Sequence, residues 1–164
     1  MKAFLYTCFF CFFVQLSSAQ DSLTKVINAD TNNATAYYQR GLIYSKQRNY
    51  LNALFDFDKA IKLKPDYAEA YDERANTLLD GDLFHEDSIV RPHDTSWAWS
   101  DYHKSIALNP KFAKAYYDRG YRLGMLQNGI PTTWGIPDLY KAKELGYPIK
   151  DTNVNGWFYF IPTH

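Results

Sequence analysis

Cysteine is almost absent from this chain: only Cys8 and Cys11 carry a thiol, and both sit in the apolar stretch at its start. Beyond that stretch a disulfide framework, a thiol nucleophile and a cysteine-ligated metal are all excluded. Net charge is lacking too. The 18 basic and 18 acidic residues cancel, so no overall field draws the chain to nucleic acid or to an anionic membrane surface. Phosphate-cradling loops are also missing, with no Walker loop and no G-x-G-x-x-G, and so is the G-x-S-x-G turn that presents a nucleophilic serine. The scattered serines, histidines and acids form no nucleophile–base pattern, so an enzyme is not expected. His85, Glu86, Asp87, His93 and Asp94 lie close in sequence but lack tight ligand spacing such as H-E-x-x-H. Neither a metal nor another cofactor is expected there.

Long apolar runs are scarce as well. The longest, Ala3 to Val14, is well short of the roughly 20 residues a spanning helix needs. It follows Met1-Lys2 and precedes the small residues Ser17-Ser18-Ala19, the pattern of a secretory leader cleaved after Ala19. Neither cysteine has the preceding pattern of a lipoprotein cut site. Residues 1–19 are thus expected to be a signal peptide, leaving an extracytoplasmic protein, secreted or periplasmic, with no membrane span. Loss of Lys2 leaves 17 basic residues against 18 acidic ones.

What is present is repetition. Tyr-x-x-Arg followed by a small residue occurs at Tyr37-Arg40-Gly41, Tyr71-Arg74-Ala75 and Tyr116-Arg119-Gly120, spaced by 34 and then 45 residues. A second signature alternates with it: Asp56-Phe57-Asp58-Lys59-Ala60, Asp101-Tyr102-His103-Lys104-Ser105, and a degraded copy from Asp138 to Ala142. Two alternating signatures at a fixed period indicate an array of paired helices. In the first unit Tyr37, Gly41 and Tyr44 share one helix face, Ala53, Phe57 and Ala60 share a second, and Pro65 closes the unit. Small residues let two antiparallel helices approach while the aromatics fill the space around them. Pro65 and Pro110 end second helices, because proline lacks a donor and disfavours helix before it.

Over residues 32–148 this resembles the tetratricopeptide repeat: a large aromatic, a small residue four later, an aromatic three after that, then Ala, Phe or Tyr, Ala and Pro. The resemblance implies an all-α fold, a short right-handed α-solenoid of about three antiparallel helix pairs. Helices are predicted at 34–46 with 50–63, 68–79 with 96–108, and 113–126 with 136–145. The sequence departs from the pattern in placing arginine before each small residue, and in carrying Pro131 and Pro137 around the last helix. Residues 20–31 read as a partial repeat covering the first unit, with Leu23, Val26 and Ile27 as its apolar face and Thr31 where Pro65 and Pro110 stand later. The eleven extra residues form an insert at 80–96, a binding loop or a tolerated surface insertion. The tail 149–164 contains Trp157-Phe158-Tyr159-Phe160-Ile161, expected to cover the end of the stack or lie in its groove.

Arg40, Arg74 and Arg119 each have a matching acid on the second helix, Asp56, Asp101 and Asp138. Because both partners repeat, ion pairs that serve structure outweigh an anion site. The resemblance further implies a peptide groove lined by first-helix residues: Tyr38 and Leu42, then Asp72, Glu73 and Asn76, then Lys114, Tyr117 and Tyr121. Of the positions that grip a terminal carboxylate in chaperone-binding members, only Lys114 is retained. Tyrosines and carboxylates would better suit an extended segment with basic or apolar side chains, and the alternative is a solvated acidic face. Tyr38, Asp72, Tyr117 and Tyr121 are expected at least partly exposed along it. The expected function is a non-catalytic interaction module for a protein or peptide partner. The rivals are a structural subunit of an envelope assembly, and a metal-dependent or catalytic protein using the insert.

Overall fold

A computed structural model describes residues 18–82, 96–126 and 135–149. Residues 1–17, which hold most of the expected leader, lie outside them, as do most of the insert and the aromatic tail. Among the described residues there are seven helices and no strand: α1 (18–29), α2 (Ala34–Lys46), α3 (Tyr50–Leu63), α4 (Ala68–Asp82), α5 (Ser96–Leu108), α6 (Ala113–Leu126) and α7 (Ile136–Glu144). The most extensive contacts are α2 with α3, α4 with α5 and α6 with α7. The fold is an all-α solenoid of three helix pairs. Helix α4 runs to Asp82, three residues past its expected end, so the first residues assigned to the insert are helical.

The sequence period is a period of backbone hydrogen bonds. Each unit is entered by the same turn, in which Asn33, Tyr67 and Phe112 donate to the carbonyls of Asp30, Lys64 and Asn109. One step later Ala36, Ala70 and Ala115 donate to the carbonyls of Asn33, Tyr67 and Phe112. Thr31 therefore occupies the place of Pro65 and Pro110. The Asn33 side chain caps α2 by accepting from the Ala36 amide at 3.0 Å, satisfying a donor that the helix start would otherwise leave orphaned. At the other end of α2, Arg48 adopts a left-handed φ of 59°. The Asn49 and Arg48 amides then reach the carbonyls of Tyr44 and Ser45. Gly146, at φ 85°, closes α7 with the same paired bonds.

Packing explains the small residues. A Cβ on Gly41 would stand 2.8 Å from the Phe57 ring, and one on Gly120 would stand 2.7 Å from the Gly135 carbonyl oxygen. Both glycines allow the two helices of a pair to touch. Ala53, Phe57, Ala60, Ala75 and Tyr102 are wholly buried, and burying a side chain the size of Phe57 contributes about 1.5–3 kcal/mol. Ile27 joins Ala36, Tyr37, Ala60 and Ala70 in one cluster, with Leu23 packed on it. Helix α1 thus covers the first unit as a second helix of a preceding unit would.

Candidate functional site

Two sets of charged groups run through the stack. The first is a ladder. Arg40 donates through Nε and Nη2 to both oxygens of Asp56 at 2.7 and 2.8 Å. Arg74 does the same to Asp101, at 2.7 Å for each bond, and Arg119 to Asp138, at 2.6 and 2.7 Å. The third nitrogen, Nη1, reaches back to the preceding second helix: Thr24 at 3.2 Å, Asp58 at 2.5 Å and His103 at 3.1 Å. Each guanidinium also lies over the tyrosine three residues before it, Tyr37, Tyr71 or Tyr116, at 5.6–6.0 Å. The Tyr-x-x-Arg signature thus joins two helices of one unit to the unit before it. The Arg–Asp pairs, within or between adjacent units, were expected from the sequence, but the backward partners were not named, although Thr24, Asp58 and His103 are themselves spaced by 34 and 45 residues. Hydrogen bonding to Asp56 raises Arg40 above the usual guanidinium value. Burial lowers His103, and the neighbouring Arg119 charge lowers it further.

The second set does not repeat. On the face made by α2, α4 and α6, the Lys114 ammonium stands 2.5 Å from Asp72 and Asp118 and 3.1 Å from Glu73. Burial alone would lower Lys114, but Asp72, Asp118 and Glu73 together raise it. Asn76 donates to Asp118 at 2.8 Å and accepts from the Tyr102 hydroxyl at 2.6 Å. Arg122 pairs with Asp80 close by at 2.7 Å. Tyr38 packs on Tyr67, with ring centroids 4.9 Å apart. Tyr117 stacks between Tyr121 at 5.6 Å and Tyr147 at 4.5 Å.

The expected groove residues from α4 and α6 therefore meet, and one expectation needs correction. Asp72 is 0% exposed rather than partly exposed, and its Oδ2 meets the Lys114 ammonium from the next unit. Its Oδ1 has no hydrogen-bond partner, and burial, opposed by Lys114 and reinforced by Asp118, pushes the carboxyl up to about 7. Tyr38, Leu42, Tyr117 and Tyr121 are half-buried. Both ends of the Asn76 amide are used internally. Tyr147, from just after α7, was not anticipated, and its place beside Tyr117 has no signal in the repeat pattern. Among the described residues no group of His, Cys, Asp and Glu is arranged to hold a metal ion. The acids and histidines of the insert lie outside them.

A sequence model described as the tetratricopeptide repeat matches residues 34–67, the whole of α2 and α3 with the turn that follows. Residues 34–67 therefore match one tetratricopeptide repeat, and the described helix pairs around them share the all-α solenoid fold. Solved structures agree over most of the chain. The crystal structure of MamA is 25% identical, covers 79% of this chain and 68% of its own, and superposes with a TM-score of 0.60. MamA from residue 41 to its end, from Desulfovibrio magneticus RS-1, is 23% identical over 88% of this chain and 76% of its own, with a TM-score of 0.59. The first tetratricopeptide domain of Spaghetti (RPAP3), bound to the HSP90 peptide SRMEEVD, is 22% identical over 79% of this chain and 90% of its own, with a TM-score of 0.60. No curated protein matches. The second unit carries eleven extra residues between its helices and the third drifts after Leu123, yet both keep the entry turn and the ladder of the first. Among the described residues no helix is long and apolar enough to cross a membrane.

Proposed function

We propose that this protein is an exported, non-catalytic interaction module that holds an extended partner segment on the face formed by α2, α4 and α6. One observation carries the reading. Polar and aromatic side chains from three successive units converge on that face, while the repeated charges are spent within the stack. A surface of regularly spaced side chains on stiff helix pairs binds with little reorganisation, so less of the interaction energy is lost to ordering. The RPAP3 domain of the same fold holds a peptide. That peptide is acidic, whereas Lys114 here is already surrounded by three carboxylates, which argues against a carboxylate-bearing partner for this chain.

A photo-crosslinking residue placed at Tyr38 or Tyr121, with Phe55 and Trp97 on the exposed side as controls, tests the face in cells that make the protein. Adducts with a protein partner at the first pair and not at the second are expected. Adducts confined to Phe55 and Trp97 would move the working surface to the other side and favour a structural subunit packed through α3 and α5. Export is tested by the mature N-terminus. A chain starting at Gln20 supports it, and one retaining Met1 refutes it.

A further inference from the structure

We infer that the partner segment is basic, and that a lysine or arginine side chain docks above Glu73 and Asp118, flanked by the tyrosines of the same face. The inference deepens the interaction reading and rests on it. Its first ground is an unmatched local charge. Three carboxylates, Asp72, Glu73 and Asp118, share the single ammonium of Lys114. The other nearby cation, Arg122, is paired with Asp80. A proton on Asp72 would still leave Glu73 and Asp118 against one positive charge. In the ladder, by contrast, every arginine holds its own aspartate with two parallel bonds, and the one extra acid there, Asp58 beside Arg74, is exposed to solvent.

The second ground is independent of counting. Asp72 is wholly buried, and its Oδ1 has no donor, although Oδ2 of the same carboxylate meets the ammonium. A buried carboxylate oxygen without a donor is costly. Once Asp72 is ionised, its charge adds to those of Glu73 and Asp118 on the face above it. Glu73 and Lys114 remain accessible there, with side chains 20% and 34% exposed, so a cation can reach the cluster from the open side.

The third ground is the aromatic surround. Tyr38, on α2, is near enough to Glu73 that this charge, after burial, raises the tyrosine hydroxyl's pKa. The stack of Tyr117, Tyr121 and Tyr147, from α6 and the residues after α7, is near Asp118. Tyrosine faces attract guanidinium and ammonium groups. The chain itself uses this pairing with Arg40, Arg74 and Arg119.

The test is a short end-blocked peptide alternating lysine and threonine, titrated into the mature protein at low salt. Its counterparts carry acetyl-lysine or glutamate at the same positions. The lysine peptide is expected to bind about tenfold more tightly than the acetyl-lysine form, and Glu73→Gln to remove about that factor. Asp58→Asn deletes an equal charge from the exposed side and is expected to leave binding unchanged. Equal affinity for the acetyl-lysine peptide would overturn the inference. So would a loss at Asp58→Asn matching that at Glu73→Gln, or no binding of the lysine peptide. If Glu73→Gln does not fold, the lysine and acetyl-lysine comparison on the unaltered protein still decides. Crosslinks at Tyr121 alongside failure of the lysine peptide would leave the interaction module standing with another class of partner, whereas crosslinks confined to Phe55 would remove the module's face itself.

Discussion

The arginine ladder and the Lys114 cluster are built from the same side-chain types, yet they differ in stoichiometry and in repetition. In the ladder each guanidinium holds one second-helix aspartate with two parallel bonds, a pairing repeated in every unit, and Arg74 also reaches the exposed Asp58. In the cluster one ammonium meets three carboxylates, once, between the second and third units. Matched and repeated charge stabilises a stack, because each rung closes its own account of donors and acceptors. Unmatched and unrepeated charge must be explained by something outside the repeat. The cluster also has a structural share, since the α5–α6 contact is thin beside the α3–α4 contact, and Lys114 ties α6 to α4.

The largest effect expected from dissecting this comparison is Lys114→Met. Three carboxylates would lose their cation, one of them wholly buried, and stability should fall by about 3–5 kcal/mol. If calorimetry shows a smaller loss than for any ladder arginine, the cluster does not hold the third unit. Arg74→Met should follow, at about 3 kcal/mol, because Asp101 is left buried and unpaired. Combined with Asp101→Leu it should recover part of the loss, with coupling of about 1–3 kcal/mol in a double-mutant cycle. Absence of coupling would dissolve the ladder as an energetic unit.

Overpacking comes next. Gly120→Ala would press on the Gly135 carbonyl and Gly41→Ala on the Phe57 ring, each costing about 1–3 kcal/mol. Backbone yields less than a ring, so the midpoint in urea should drop further for Gly120→Ala. The reverse order would mean that α7 shifts freely on α6.

The smallest effects separate the two regions by the sign of their pH dependence. Burial raises Asp72 to about 7 from an ordinary value of 3.8, so the folded state holds a proton that the unfolded chain releases. Stability from this group is fullest below the ordinary value and is lost as pH rises toward about 7. Asp72→Asn should therefore gain on the parent in Tm between about pH 4 and pH 7. A constant difference would show that Asp72 is ionised throughout. His103 behaves oppositely. Burial and Arg119 lower it, so its contribution is present above the ordinary histidine value and is lost as pH falls through that range. His103→Asn should flatten a shallow acid-side slope, and an unchanged slope would remove His103 from the third rung.

Much of the architecture was legible because it is periodic. The Tyr-x-x-Arg spacing locates six helices to within a few residues, and the paired aspartates identify the partners of Arg40, Arg74 and Arg119. Helix pairs and their ladder depend on side chains at helical spacing on one chain segment, and repetition confirms the register. The extension of α4 to Asp82 was not legible, because Gly81 reads as a breaker until Tyr50 is seen packed beside it, 3.6 Å from where its Cβ would stand. The burial of Asp72 was hidden for a related reason. An aspartate on a first helix is solvated or buried according to what the next unit places over it, and Lys114 lies 42 residues away.

The sequence by itself determined the helices, their pairing and the repeated ion pairs, since local spacing and period contain that information. Only the tertiary structure decided which carboxylates share an ammonium, which tyrosines stack, and that one buried aspartate oxygen lacks a donor. These depend on how far each unit turns relative to the last, and that angle follows from packing across the seams rather than from any one segment.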